Sequence, residues 1–278
     1  MAGIVGVHGV WNHLEGRTPQ EAAALKSDAW TNGLAQSLGV APPARVDVAY
    51  YAHLLRRGHR QAAPDPETLD DEQRDWLARW DLALNPREEV REALVLKPVR
   101  QIISGMARRC NLDTELVALF VTIVLNEIKV YFDPAHPGPR QQVRDTVADT
   151  LRRVRPSVVI AHSMGSVVAY ETLWQNPDVP VPLLVTLGSP LGLPGVIFPR
   201  LAPEPVDGRG SRPPSVARWI NVADPGDIIA VPRWLGKSFN GIDEDLETSI
   251  DVFDFHKVAK YLKNQKVADA VRPYLDEA

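Results

Sequence analysis

The chain predicts an α/β fold, a mainly parallel sheet flanked by helices and interrupted by a helical insertion. Three observations carry this expectation. Strand-like and helix-like segments alternate near the N-terminus, the strand pattern vanishes between about residues 54 and 137, and the alternation then resumes toward the C-terminus.

GIVGVHGV at residues 3–10 is an apolar run closed by glycine and reads as a buried strand entering a loop. From Pro19 to Leu38 the residues Ala22, Leu25, Ala29, Trp30, Leu34 and Leu38 recur at helical spacing, with proline at the start and Gly39 at the stop. RVDVAYYA at residues 45–52 reads as a second strand. Three helical patterns fill the insertion: Leu69 to Leu84, Pro86 to Arg109 and Asp113 to Tyr131. DPAHPGP at residues 133–139 cannot continue a helix and returns the chain to the main body. An amphipathic helix, Arg140 to Arg153, then leads into the strand SVVIAHS, a helix from Met164 to Gln175, and the strands PLLVTLGSP and ARWINVAD. Residues 190–215 are dense in proline and glycine and read as one long loop. TSIDVFDF is expected as the last strand, followed by helices at Val258 to Asn264 and Val267 to Leu275. The expected organisation is a core of residues 1–53 and 138–278 with a cap or lid of residues 54–137.

Composition narrows the partners. With 45% apolar residues, 24% charged residues, no long block of one charge and a net charge of −4, the chain gives no reason to expect nucleic acid as a partner. The single Cys110 cannot close an internal disulfide and reads as structural. The opening MAGIVGVHG has neither a basic leader nor a cleavage pattern, so no secretory signal and a cytoplasmic location are expected. The most apolar window, LVALFVTIVL at residues 116–125, is about half of what a membrane span needs. It is expected to line an acyl pocket, to form a lid, or simply to pack.

The chemistry centres on Ser163, where strand SVVI runs through A-H-S-M-G-S into a helix. A sharp strand-to-helix turn exposes such a serine as a nucleophile, and it needs small residues two before and two after it. Ala161 and Gly165 supply them. The helix start would aim the Met164 N–H at a reacting carbonyl. An N-capping role alone would not explain the small flanking residues. Ser189 also ends a strand, but Pro190 after it has no N–H to offer an oxyanion.

A serine nucleophile needs a base, and His256 is the one histidine after Ser163. The carboxylate that orients it is expected between the two, after a strand. WINVADPGDIIAVP offers Asp227, favoured because Ile228, Ile229 and Ala230 would anchor its backbone, and Asp224, which could simply open a turn at Pro225. Asp251 and Asp254 lie too close to His256 along the chain to be first choices. The second oxyanion donor is expected after the first strand, from the N–H of Val10 or, alternatively, Trp11, with His8 and Gly9 shaping the loop.

HGVW, AHSMGS, DPGD and FH, in this order, resemble the α/β-hydrolase superfamily, and AHSMG resembles the alanine-type elbow of some small bacterial lipases. The resemblance spans most of the chain outside the insertion and the proline-rich loop. It implies a Ser-His-Asp triad acting on a small-molecule or lipid-like acyl substrate through an acyl-enzyme, without an organic cofactor; no metal ligands are read from the sequence. A thioesterase, a peptidase or an acyl-transferring macrocyclase would use the same residues, and a hydrolase-like binding protein without turnover is the reading from another class. Two departures stand out. The chain starts directly at the His-Gly strand, without the family's early strands, and the insertion precedes the elbow.

Overall fold

A computed structural model of the chain describes residues 3–42, 45–55, 65–85, 97–250 and 256–275. Its strands are β1 (Gly3–Val7), β2 (Val46–Ala49), β3 (Pro156–His162), β4 (Val181–Leu187), β5 (Gly210–Ser211), β6 (Val216–Ala223), β7 (Phe239–Asn240) and β8 (Glu244–Glu247). Six make one sheet in the order β2-β1-β3-β4-β6-β8, every neighbouring pair parallel, while β5 and β7 pair separately. The helices are α1 (Pro19–Leu38), α2 (Asp71–Leu84), α3 (Val99–Arg109), α4 (Thr114–Phe132), α5 (Gly138–Val154), α6 (Met164–Gln175), α7 (Val258–Leu262) and α8 (Gln265–Val271). This is the α/β architecture expected, and it is consistent with an α/β-hydrolase-like fold. No helix among the described residues is long and apolar enough to cross a membrane.

The central strands are apolar on both sides because both sheet faces are covered. Ile4, Val158, Ile160, Leu183, Val185 and Ile220 pack against Trp30 and Leu34 of α1, Tyr261 of α7 and Val267 of α8. The alternate residues Val5, Val7, Val159, Ala161, Leu184 and Trp219 join a second cluster that takes in residues from α2 through α6, Trp76, Trp80, Ile102 and Val121 among them. The insertion thus shares one core with the sheet. Gly6 lets Trp30 approach, since a methyl group there would stand 2.7 Å from the indole. Helix α1 starts in a capping box: Thr18 Oγ1 accepts from the Glu21 N–H at 3.2 Å, and Glu21 Oε2 accepts from the Thr18 N–H at 2.9 Å.

The topology marks where the winding of the sheet reverses. β1 runs on through α1 to β2 on one side, whereas β3 runs on through α6 to β4 on the other, so the winding reverses between β1 and β3. In open parallel sheets ligands bind outside the carboxyl ends of the strands at such a point.

Several expectations need correction. The second strand is shorter than residues 45–52 and gives way to a 3₁₀ turn at Ala52–Leu55. Of the expected helix Pro86 to Arg109, the described part is Val99–Arg109; residues 86–96 lie outside the described residues. The stretch 190–215 is not plain loop, since it holds a 3₁₀ turn at Phe198–Arg200 and strand β5. Among the described residues the last sheet strand is Glu244–Glu247; of the expected strand TSIDVFDF, Thr248–Ile250 is not strand, and residues 251–255 lie outside the described residues. EDLE hides as a strand because it is an edge and its polar groups are used as acceptors. Asp245 Oδ1 takes the Asn221 side-chain amide at 2.8 Å and the Leu235 N–H at 2.9 Å, and Oδ2 takes the Gly236 N–H at 2.7 Å.

Candidate active site

Ser163 stands between the last residue of β3 and the first of α6, with φ 56° and ψ −135°, a conformation that a non-glycine residue holds only when its surroundings enforce it. Ser163 N–H donates to the Leu187 carbonyl of β4 at 2.9 Å, which fixes the turn from one side. On the other side α6 crosses the end of β1: a Cβ on Gly165 would lie 2.3 Å from the Val7 carbonyl oxygen and 2.4 Å from that of His8. Glycine at this position is therefore a packing requirement. Ala161 is fully buried in β3, beside Val7 of β1 and Thr186 of β4.

The loop after β1 comes up against the serine. A Cβ on Gly9 would sit 2.5 Å from Ser163 Cβ and 2.9 Å from its Oγ. His8 holds this loop. Its Nε2 accepts from the Tyr51 N–H at 3.1 Å, so its Nδ1 carries the proton and donates to the Gly9 carbonyl at 2.8 Å. Burial pushes the His8 ring down to a pKa of about 3, which keeps that tautomer neutral. Tyr51 stacks on the ring at 4.1 Å and donates its hydroxyl to the His8 carbonyl.

His256 and Asp227 are brought together. His256 Nδ1 lies 2.9 and 2.8 Å from the two carboxylate oxygens, with the aspartate side chain fully buried and that of the histidine 7% exposed. A proton on Nδ1 donated to the carboxylate leaves Nε2 as a bare acceptor, the tautomer that a general base needs. Among the described residues neither His256 Nε2 nor Ser163 Oγ has a hydrogen-bond partner, although both are buried, Ser163 to 1% exposure.

The structure separates the two candidate acids by what occupies them. Asp224 accepts from the Gly226 N–H and the Ile250 N–H, so it closes the turn into which Pro225 leads. Asp227 accepts from the Ile229 N–H at 3.0 Å and from the Tyr261 hydroxyl at 2.7 Å in addition to His256. Gly188, with φ 51°, makes room for it, since a Cβ there would lie 2.5 Å from Asp227 Oδ2. Asp251 and Asp254 lie outside the described residues.

The oxyanion candidates separate in the same way. Met164 opens α6, so its N–H has no carbonyl within the helix to donate to. The Val10 N–H has no partner among the described residues. The Trp11 N–H is taken by Glu127 Oε1 at 2.9 Å. Ser189 is engaged elsewhere, its Oγ 2.6 Å from that of Ser166.

Three neighbours of the site carry no local sequence signal. Tyr261 donates to Asp227 and accepts from the Asp224 N–H at 3.1 Å; burial, then the Asp227 charge, hold its hydroxyl well above the ordinary tyrosine range, so it stays a donor. His162 lies with its ring 4.6 Å from that of His256. Burial, and next the proximity of His256, push His162 well below the ordinary histidine range. Phe120 of α4 presents its edge to His256 at 5.2 Å. Only His162 is adjacent to a motif residue; the others come from 34 residues after Asp227 and from the insertion. No group of three or more His, Cys, Asp or Glu side chains among the described residues is placed to hold a metal ion. No family model, no curated protein and no solved structure matches this chain.

Proposed function

We propose that the chain is a serine hydrolase of the α/β-hydrolase type that cleaves a carboxylic ester or related acyl substrate. The observation that carries the reading is the buried Asp227–His256 pair, with its outer nitrogen bare, together with an unpartnered Ser163 Oγ on a left-handed strand-to-helix turn. A serine that only capped α6 would bond a helix N–H, and Ser163 makes no such bond.

In the proposed reaction His256 Nε2 takes the Ser163 hydroxyl proton as Oγ attacks the acyl carbon. The N–H groups of Met164 and Val10 stabilise the oxyanion, and Asp227 stabilises the imidazolium. Collapse expels the alcohol, which leaves with the proton from His256, and an acyl-serine remains. His256 then draws a proton from water as its oxygen attacks; the acid departs and Ser163 regains its proton. No step asks for a metal or an organic cofactor. A small-molecule or lipid-like acyl ester and water are the proposed partners, with a cytoplasmic setting proposed alongside them.

Turnover of p-nitrophenyl butyrate and labelling by a fluorophosphonate should both be present in the wild type. Ser163→Ala should abolish the label and lower kcat by at least about 10³-fold. Equal labelling of wild type and variant, located by mass spectrometry at another residue, would overturn the assignment.

A further inference from the structure

Helix α4 touches both halves of the candidate site. Phe120 contacts His256, and two turns further on Glu127 reaches the loop after β1, where Oε1 accepts from the Trp11 N–H. Trp11 has φ 57°, a left-handed conformation that an aromatic residue adopts only when held there. The residue is 50% exposed, so packing holds it on one side only, and its N–H is tied to Glu127.

The carbonyl side of the same loop is tied independently. Asn12 Nδ2 donates to the Gly9 and Val10 carbonyls at 3.1 and 2.7 Å, and Lys26 Nζ of α1 donates to Asn12 Oδ1 at 2.6 Å. Among the described residues the Val10 N–H is an open donor in the loop whose Gly9 packs against Ser163.

We infer that Glu127 is a positioning residue for the oxyanion hole: it fixes Trp11 in its left-handed conformation and thereby orients the Val10 N–H, while Asn12 and Lys26 secure the other edge of the loop. This rests on the serine-hydrolase reading and makes the insertion a working part of the site as well as its cover. An oxyanion donor contributes only when it is oriented before charge develops, so its misplacement lowers kcat and leaves substrate binding nearly intact.

The test uses Glu127→Ala, which removes the acceptor, and Glu127→Gln, which keeps an acceptor oxygen, in the full chain. Two readouts are taken: p-nitrophenyl butyrate kinetics, and hydrogen exchange of the Trp11 amide in ¹⁵N-tryptophan-labelled protein, its signal identified with Trp11→Phe. Glu127→Ala should lower kcat about 10- to 100-fold with KM changed less than about twofold. It should also speed Trp11 amide exchange at least about tenfold. Glu127→Gln should restore most of both. A folded Glu127→Ala protein with wild-type kcat overturns the inference, and so does unchanged Trp11 exchange, whatever the turnover. A wild type that neither turns over nor labels at Ser163 instead removes the hydrolase reading, and this inference with it.

Discussion

Two buried histidines, His8 and His162, make the folded state sensitive to acid through single rings. Both are held below the ordinary histidine range chiefly by burial, His8 to about 3. Above pH 6.5 the folded and unfolded chains both carry these rings neutral. As pH falls below 6.5 the unfolded chain binds protons that the folded chain refuses, so stability is lost, for His8 across the window from 6.5 down to about 3. Each such ring steepens the loss by up to about 1.4 kcal/mol per pH unit. Urea denaturation at pH 4, 5, 6 and 7 should therefore show stability rising with pH, and His162→Phe should flatten the rise. An unchanged slope in that variant would show that His162 titrates alike in both states. The choice between Asp227 and Asp224 also belongs to this scale. Local sequence favoured Asp227 through the apolar residues after it, and the structure shows Asp224 filled by the Gly226 and Ile250 amides. Tyr261, Phe120 and Glu127 were not legible, because their contacts with the site join segments far apart in the chain.

At the scale of elements, the elbow helix α6 is tied to the insertion by a buried ion-pair cluster. Glu171, fully buried on α6, accepts from the Tyr131 hydroxyl of α4 at 2.7 Å, from Arg140 Nε of α5 at 3.0 Å and from the Ala202 N–H at 3.1 Å. Arg140 Nη2 also donates to Glu171 Oε1 and to the Arg200 carbonyl. Glu171→Gln strips the charge from this cluster and leaves Arg140 and Arg144, whose side chains are 21% and 11% exposed, without their counterion. The expected loss is about 3–5 kcal/mol in urea unfolding, partly recovered in Glu171→Leu/Arg140→Leu/Arg144→Leu. A single variant within about 1 kcal/mol of wild type would show that the cluster is mainly solvated. Element boundaries were legible where the code is local. Helix α1 was read from Pro19 to Leu38 and spans those residues, because the proline at its start and its Gly39 stop are sequence-local signals. Strand β8 was missed because its charged residues pair with groups elsewhere in the fold.

Across the whole molecule, α2, α3 and α4 join the sheet in one hydrophobic cluster, and Trp80 Nε1 donates to the carbonyl of Ile228, next to Asp227, at 2.6 Å. The insertion should therefore not unfold ahead of the sheet. Far-UV circular dichroism, tryptophan fluorescence and calorimetry should report coincident transitions. An early transition confined to helical signal would count against this. The sequence by itself determined the α/β class, the strand-to-helix turn at Ser163, the candidate base His256 and the two aspartates from which its partner would come, since each follows from short-range pattern and chain order. Only the tertiary structure decided that Asp227 meets His256, that Trp11 is occupied while Val10 is open, and that α4 lies on both halves of the site. Those facts depend on contacts between distant segments, and in this chain both faces of the sheet are buried, so apolar pattern alone does not say which helix covers which end of it.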